Sequence, residues 1–149
     1  MKAKVFFLSL IAFFALSLQA AVVDTIYVHS DAMNKDIQTI VISPGKGKTT
    51  APVIYLLHGH GGNAKTWISV KPNLPEIADQ YGIMFVCPDG KNSWYWDSPV
   101  DPSYRYETFV SKELIDYIDA SYPTIKNRTG RAITGLSMGG HGAMWLSFR

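Results

Sequence analysis

The sequence predicts an α/β protein whose sheet is mainly parallel and carries helices on both faces. Two continuous apolar runs, VIYLL at 53–57 and IMFVCP at 83–88, are typical of strands covered on both sides. Segments with helical spacing of apolar residues, 72–82 and 106–123, separate these runs from each other and from a short strand, RAITG at 131–135. Strands that alternate with helices indicate this fold class, because a parallel connection has to cross back over the sheet.

Two further strands are predicted before the first buried run. DTIYVHS at 24–30 and DIQTIVIS at 36–43 alternate enough between apolar and polar residues to be half-buried, and the turn-forming DAMNK separates them. A polar, glycine-bearing loop, SPGKGKTTAP, then leads into VIYLL. No internal repeat or low-complexity stretch divides the chain, so we expect a single domain after the amino-terminal segment.

The helices between the strands follow from apolar spacing and from their stop signals. PNLPEIADQYG places Leu74, Ile77, Ala78 and Tyr81 at helical spacing, and Gly82 is a suitable residue to end that helix. The second helix ends at Pro123, and its predicted buried face consists of Val110, Leu114, Tyr117, Ile118 and Tyr122. A third helix, GGHGAMWLSF, begins directly after RAITG.

Residues 1–20 have the pattern of a secretory signal peptide. Lys2 and Lys4 form a basic start, the apolar run VFFLSLIAFFALSL follows, and the small-residue ending LQA suggests cleavage after Ala20. The run is shorter than the roughly 20 residues of a membrane-spanning helix, although an uncleaved amino-terminal anchor is the alternative. We expect a secreted or periplasmic protein with no stable membrane insertion, whose folded domain occupies residues 21–149.

Charge and cysteine content exclude several classes of function. Removing Lys2 and Lys4 from the 14 basic residues leaves 12, equal to the 12 acidic residues, so no basic patch indicates nucleic-acid binding. Cys87, the only cysteine, lies in an apolar run and is predicted to be a core residue. No histidine or carboxylate cluster has ligand spacing, so the sequence predicts no metal and no organic cofactor.

The segment GLSMG is the strongest chemical signal in the chain. It fits the GxSxG pattern of a nucleophile elbow, with a predicted strand before it and a predicted helix after it. In such an elbow Ser137 sits in a strained turn, and Gly135 and Gly139 are small because strand and helix pass close together. The alternative is a glycine-rich turn that happens to contain a serine.

A second signal, LLHGHGGN, follows the VIYLL strand. Acyl transfer needs two donors for the oxyanion, one of which is usually the N–H after the nucleophile, here that of Met138. The other comes from a loop after an earlier strand. Gly59, Gly61 and Gly62 would let this loop bend back towards the site.

Four segments together resemble the esterase family of α/β-hydrolases that includes S-formylglutathione hydrolase, feruloyl and acetyl-xylan esterases, and mycolyltransferases. They are YLLHGHGGN, VCPDGKNSWYWDSP, YETFVSKELIDYI and TGLSMGGHGAM, and the resemblance runs from about Asp36 to the last residue. It implies an α/β-hydrolase fold with Ser137 as the nucleophile. It also implies that the backbone N–H groups of His60 and Met138 bind the oxyanion.

The general base is not evident among the four histidines. The order in this superfamily is Ser, then Asp or Glu, then His, which excludes His29, His58 and His60; His58 is expected to brace the oxyanion loop instead. His141 follows Ser137 without an intervening acid and is interpreted as a helix-packing or surface residue. We therefore expect the acid and base beyond Arg149, a domain truncated after the nucleophile helix, and an inactive, poorly soluble chain when these residues are made alone.

The loop SWYWDSPVDPSYRY is rich in aromatic residues that could present flat faces to sugar rings: Trp94, Tyr95, Trp96, Tyr104 and Tyr106. Trp94 and Trp96 are the candidate substrate contacts. The alternative is that these side chains anchor a long loop. The loop follows a strand's carboxyl end, where sites in α/β sheets lie.

These observations predict a secreted serine esterase that acts on acylated carbohydrate or another small ester through an acyl-enzyme. Two alternatives stay open: an acyltransferase on the same site, and a glycan-binding remnant of a hydrolase that lacks a base. The acyl group, the alcohol portion of the substrate and the oligomeric state do not follow from the sequence.

Overall fold

The computed structural model describes residues 20–45 and 50–149, so the predicted signal peptide lies, apart from Ala20, outside the described residues. The strands are β1 Val22–Ser30, β2 Lys35–Ser43, β3 Val53–Leu57, β4 Met84–Pro88 and β5 Arg131–Gly135. The helices are α1 Thr66–Val70, α2 Leu74–Tyr81, α3 Tyr106–Thr108, α4 Leu114–Ser121 and α5 Met138–Ser147. A π-helical segment, Phe109–Glu113, joins α3 to α4, and a short 3₁₀ turn, Arg128–Gly130, precedes β5.

The five strands form one sheet in the order β1-β2-β4-β3-β5. The half that carries β4, β3 and β5 is parallel, as predicted. The other half is antiparallel, because β1 and β2 form a hairpin and β2 pairs antiparallel with β4. The turn between β1 and β2 is only four residues long, which forces the two strands to run in opposite directions.

Helices cover both faces of the sheet, which confirms the predicted α/β architecture. Along β3, Val53, Tyr55 and Leu57 pack into one core with residues of α3, α4 and α5. Leu56, from the same strand, packs on the opposite face against Leu74 and other residues near α2. Alternate residues of a strand point to opposite faces, so β3 is buried from both sides.

The helix predicted over 106–123, which comprises α3, the π-helical segment and α4, differs in one respect from the buried face that was predicted for it. Val110, Leu114 and Ile118 are buried as expected, but the Tyr117 side chain is exposed and Phe109 is buried instead. The π-helical segment explains the burial of Phe109, because it has more residues per turn than an α-helix and so rotates its first residue relative to α4.

Two smaller differences concern the segments around α2. Tyr81, in its last turn, is exposed rather than buried. Helix α1 was not predicted. It has five residues and no buried side chain, which is too short and too exposed for an apolar periodicity to reveal it in the sequence. Gly82 ends α2 in a left-handed conformation, with φ of 63°, as the sequence indicated.

Strand β5 lies at the edge of the described sheet and pairs only with β3. A cavity of about 680 Å³ lies along its face, lined by apolar and polar residues that include Tyr55, Ile115 and Ile133. This cavity does not include Ser137. No helix among the described residues has the length and apolar character needed to cross a membrane.

Candidate active site

Ser137 occupies a sharp turn between β5 and α5. Its backbone has φ of 53° and ψ of −114°, in a region that residues with a side chain rarely adopt. Ser137 is exposed although it lies between β5, a strand of the sheet, and α5, a helix that packs on the sheet. A strained residue of this kind persists only where its surroundings hold it, and such residues cluster at functional sites.

The turn is held in place by β3. The amide of Leu136 donates to the Leu57 carbonyl at 3.1 Å, and the amide of Gly139 closes the turn on the Leu136 carbonyl at 2.8 Å. A Cβ on Gly135 would overlap the backbone of Gly139, and one on Gly139 would overlap the Leu57 carbonyl. Both glycines are therefore required by the close approach of strand and helix, as predicted from the motif.

The loop that follows β3 lies directly against the turn. A Cβ on Gly59 would be 3.2 Å from the Leu136 carbonyl oxygen and 3.6 Å from the Ser137 Cβ, so the loop passes within van der Waals distance of the serine. Gly61 has φ of 79°, which lets the chain reverse there. Two bonds fix the loop: the Gly61 amide donates to Asn92 Oδ1 at 2.7 Å, and that of Gly62 donates to the Gly59 carbonyl at 3.0 Å.

The amides of His60 and Met138, which were assigned to the oxyanion, and the neighbouring amide of Gly59 are not used in holding the loop. Within residues 20–45 and 50–149, the N–H groups of Gly59, His60 and Met138 have no hydrogen-bond acceptor. Met138 is the first residue of α5, where backbone N–H groups have no partner inside the helix. Unpaired N–H groups beside an exposed serine are what an oxyanion hole requires.

His58 connects the ends of β3 and β4. Its buried ring has Nδ1 2.7 Å from the Gly59 carbonyl oxygen, which can only accept, so Nδ1 carries a proton. Nε2 accepts a hydrogen bond from the amide of Gly90 at 2.9 Å and so carries no proton, which makes the ring neutral. The expectation that His58 braces the loop agrees with these contacts.

Asp89 and Lys91 complete this connection. The Asp89 carboxylate accepts from the Lys91 amide at 2.9 Å and from the Lys91 Nζ at 2.7 Å, and it lies 3.5 Å from His58 Nε2. Burial raises the pKa of Asp89, but the two hydrogen bonds from Lys91 outweigh burial and hold the pKa well below its usual value. Asp89 is therefore a charged and buried anchor behind the glycine-rich loop that follows β3.

The aromatic loop lies beside the first turn of α5. Trp94 and Trp96 are about half-exposed, at 45% and 46%, and both meet the ring of His141 edge-on, with centroids 5.4 and 5.2 Å apart. His141 Nδ1 also lies 3.2 Å from the Trp94 carbonyl oxygen. His141 is thus a packing residue between α5 and the loop, as interpreted from the sequence.

The three tyrosines of the loop differ from one another in exposure, which the sequence had not predicted. Tyr95 and Tyr106 are fully buried, so they cannot offer a face to a sugar and instead anchor the loop. Tyr104 is exposed and, with Trp96, lines a cavity of about 350 Å³ whose other walls include Asn92, Asp97 and Asp101. The sequence did not distinguish the buried tyrosines from the exposed ones, since all of them lie in one irregular segment.

Ser137 has no base among the described residues. No side chain of residues 20–45 or 50–149 forms a hydrogen bond with its hydroxyl. Among the described residues, the structure therefore brings together the serine, the glycine-rich loop after β3 and the aromatic loop, and it does not add an acid–base pair to them.

Cys87 is a second side chain that could in principle act as a nucleophile. It is buried and unpaired, and burial raises the pKa of its thiol to about 12, which makes it unreactive.

Fold and site together define the class of protein. A mixed sheet with helices on both faces, and a strand–turn–helix elbow next to a glycine-rich loop after β3, are the features of an α/β-hydrolase. The chain belongs to the esterase family described as "Putative esterase", whose model matches residues 30–149. The family resemblance in the sequence is thereby confirmed.

Individual relatives agree with this assignment. An acetyl esterase of Caldicellulosiruptor saccharolyticus is 36% identical over 91 residues, which are 61% of this chain and 34% of that protein. A ferulic acid esterase of known structure is 30% identical with a TM-score of 0.69, covering 83% of this chain and 51% of that one. An S-formylglutathione hydrolase from Agrobacterium tumefaciens, 23% identical, matches in fold with a TM-score of 0.76, covering 86% of this chain and 53% of that one.

Proposed function

We propose that these residues belong to a secreted serine esterase in which Ser137 is the nucleophile. The observation that carries the proposal is the strained, exposed serine placed against a loop whose Gly59 and His60 amides have no acceptor within residues 20–45 and 50–149. Membership of an esterase family and similarity to an acetyl esterase and a ferulic acid esterase support ester hydrolysis. Residues 1–20, if they act as a signal peptide, would direct the enzyme out of the cytoplasm.

The reaction would proceed through an acyl-enzyme. Ser137 Oγ attacks the ester carbonyl carbon while its proton moves to a base, and the carbonyl oxygen becomes an oxyanion held by the N–H groups of His60 and Met138. The ester C–O bond then breaks, the proton passes to the departing alcohol, and water hydrolyses the acyl-serine by the reverse proton path. The chain spans about half the length of the solved structures that it matches, and we propose that the acid and base follow Arg149 in a longer protein.

We further propose acylated carbohydrate as the substrate. Trp94 and Trp96 present half-exposed indole rings next to the helix that begins after Ser137, and indoles are suited to contact the apolar face of a sugar ring. The cavity beside Trp96 adds amide and carboxylate groups that can accept or donate hydrogen bonds to hydroxyls. The names of the acetyl esterase and the ferulic acid esterase are in keeping with an acyl ester as the bond that is cleaved.

A serine-reactive fluorophosphonate probe on the full-length protein tests the nucleophile. We expect the wild type and a Ser69→Ala control, changed at an exposed serine of α1, to be labelled at Ser137. The Ser137→Ala variant should show no labelling and lose essentially all esterase activity, because the attacking oxygen is gone. Labelling that persists in Ser137→Ala contradicts the assignment.

Two other functions would use the same surface. An acyltransferase would differ only in the acceptor, with an alcohol replacing water in the second half-reaction. A non-catalytic glycan-binding protein would use the half-exposed Trp94 and Trp96 rings to hold a sugar without any reaction at Ser137. Titration with xylo-oligosaccharides separates the two classes, since binding without ester cleavage would support the non-catalytic function alone.

A further inference from the structure

Tyr95 links the aromatic loop to the oxyanion loop through its hydroxyl group. The buried phenol donates a hydrogen bond to the backbone carbonyl of His58 at 3.1 Å, although the two residues are 37 positions apart. We propose that Tyr95 is a positioning residue that preorganises the oxyanion loop for acyl transfer. The inference rests on the proposed esterase function, since it assigns Tyr95 a part in the same reaction.

The position of the phenol is determined by two glycines. A Cβ on Gly90, after β4, would overlap the Tyr95 ring at its hydroxyl end, and a Cβ on Gly142, in α5, would overlap the ring near its own Cβ. The ring thus fills the space between the end of β4 and the nucleophile helix. Because both neighbours are backbone, the hydroxyl has little freedom to move away from His58.

The backbone of the Tyr95 segment is itself constrained. Trp94 and Tyr95 have φ of 57° and 59°, two consecutive left-handed residues that both carry large side chains. Such conformations cost free energy and persist only where surrounding contacts favour them. Here the contacts are the buried Tyr95 ring and the packing of Trp94 on His141.

The hydrogen bond orients the peptide groups of the oxyanion loop. In a planar trans peptide the N–H points away from the C=O, so a donor on the His58 carbonyl directs the Gly59 N–H to the opposite side. The next carbonyl, that of Gly59, faces His58 Nδ1 and the Gly62 amide, and this directs the His60 N–H in the same way. Tyr95 and His58 therefore fix two successive peptides whose N–H groups lack acceptors among the described residues.

The phenol can act as a donor over the whole working range of pH. Burial raises the pKa of Tyr95 far above its ordinary value, so the hydroxyl keeps its proton. The same is true of Tyr106, which is equally buried and whose hydroxyl has no hydrogen-bond partner among the described residues. Tyr106 is therefore a matched control for the loss of a buried hydroxyl.

The test compares Tyr95→Phe with Tyr106→Phe in the full-length protein. Tyr95→Phe should lower kcat for a soluble ester about 10-fold, as expected for loss of one buried hydrogen bond to the loop, with KM little changed. Its affinity for a trifluoromethyl ketone, which forms a tetrahedral oxyanion adduct with the serine, should fall by a similar factor. Tyr106→Phe should leave both quantities unchanged.

Restoring a donor separates positioning from packing. p-Aminophenylalanine at position 95 keeps the ring and an N–H donor, so it should recover most of the lost kcat. If Tyr95→Phe does not fold, this variant decides alone: a folded protein with near wild-type kcat supports the inference.

Two results would overturn the inference while leaving the esterase function intact. One is an active wild type whose Tyr95→Phe variant keeps full kcat and inhibitor affinity. The other is an inactive but folded p-aminophenylalanine variant. A wild type that has no esterase activity and no labelling at Ser137 contradicts the proposed function itself.

Discussion

Gly139, the second residue of α5, lies so close to Leu57 at the end of β3 that a side chain on Gly139 would overlap the Leu57 carbonyl oxygen. The same missing Cβ would also be 2.8 Å from the His58 carbonyl oxygen. The backbone of α5 and the backbone at the end of β3 are thus in direct contact at this point. Their close approach beside Ser137 requires a residue without a side chain at position 139.

Substitution of Gly139 by Ala should be strongly destabilising. The added methyl group must displace the backbone of β3 or of α5, and overpacking of this kind costs roughly 1–3 kcal/mol or more. Urea unfolding of the full-length protein measures the loss in the free energy of unfolding. The control is Gly140→Ala, where the nearest neighbour of an added Cβ would be the Gly135 carbonyl oxygen at 3.3 Å and the change should stay within about 1 kcal/mol. Equal stability of the two variants would contradict the close approach.

Removing the exposed indoles should impair activity on carbohydrate esters selectively. We expect Trp94→Ala and Trp96→Ala each to lower kcat/KM for an acylated xylo-oligosaccharide about 10-fold, corresponding to roughly 1.4 kcal/mol of lost contact. Activity on p-nitrophenyl acetate should change little, because that ester is too small to reach both rings. Tyr81→Ala, at an exposed tyrosine of α2, is the control. An equal loss on both substrates would indicate that the rings only anchor the loop.

Asp89 should make stability depend on pH in the acid range. Its pKa is lower in the folded protein than in the unfolded chain, so its contribution is fully present above the unfolded value of about 4 and is lost as pH falls towards the folded pKa. Wild type should therefore exceed Asp89→Asn in free energy of unfolding at neutral pH, and the difference should shrink between about pH 5 and pH 2.

Denaturant unfolding of both proteins at several pH values measures this difference. Asp116→Asn, at an exposed carboxylate of α4, serves as the control and should show little pH-dependent change relative to wild type. A difference between wild type and Asp89→Asn that stays constant with pH, or grows on acidification, would show that the Asp89 carboxylate gains nothing from Lys91.

The order of elements was predictable because local patterns express it. Buried runs such as 53–57 and 83–88 contain only residues that tolerate burial on both faces, and Gly82 and Pro123 are stop signals with a steric cause. The predicted strands and long helices are present at their predicted places, within one or two residues at most ends. The antiparallel half of the sheet and the π-helical segment were not predicted, since strand pairing and helix winding depend on distant partners.

The candidate site likewise has features that could be predicted from the sequence and features that could not. Ser137 and the loop glycines stay predictions from motif spacing, with which the placement of Ser137 against Gly59 is consistent. His141 packs against Trp94, as the absence of an intervening acid had indicated. The burial of Tyr95 and its bond to His58 did not follow, because an irregular loop has no periodicity from which burial can be inferred. Nor did the sequence indicate that Gly90 and Gly142 leave space for that ring.

The fold class and the place of the GxSxG turn could be inferred from the sequence, because short-range spacing and residue size suffice to encode a strand, a turn and a helix. The family was inferred from the resemblance of four segments to known esterases. The folded structure was needed to show which aromatic residues are exposed, which amides lack acceptors among the described residues, and which side chains hold the loop after β3. Those properties arise from contacts between residues tens of positions apart, such as Tyr95 with His58 and Gly61 with Asn92. Physical proximity of that kind exists only once the chain has folded.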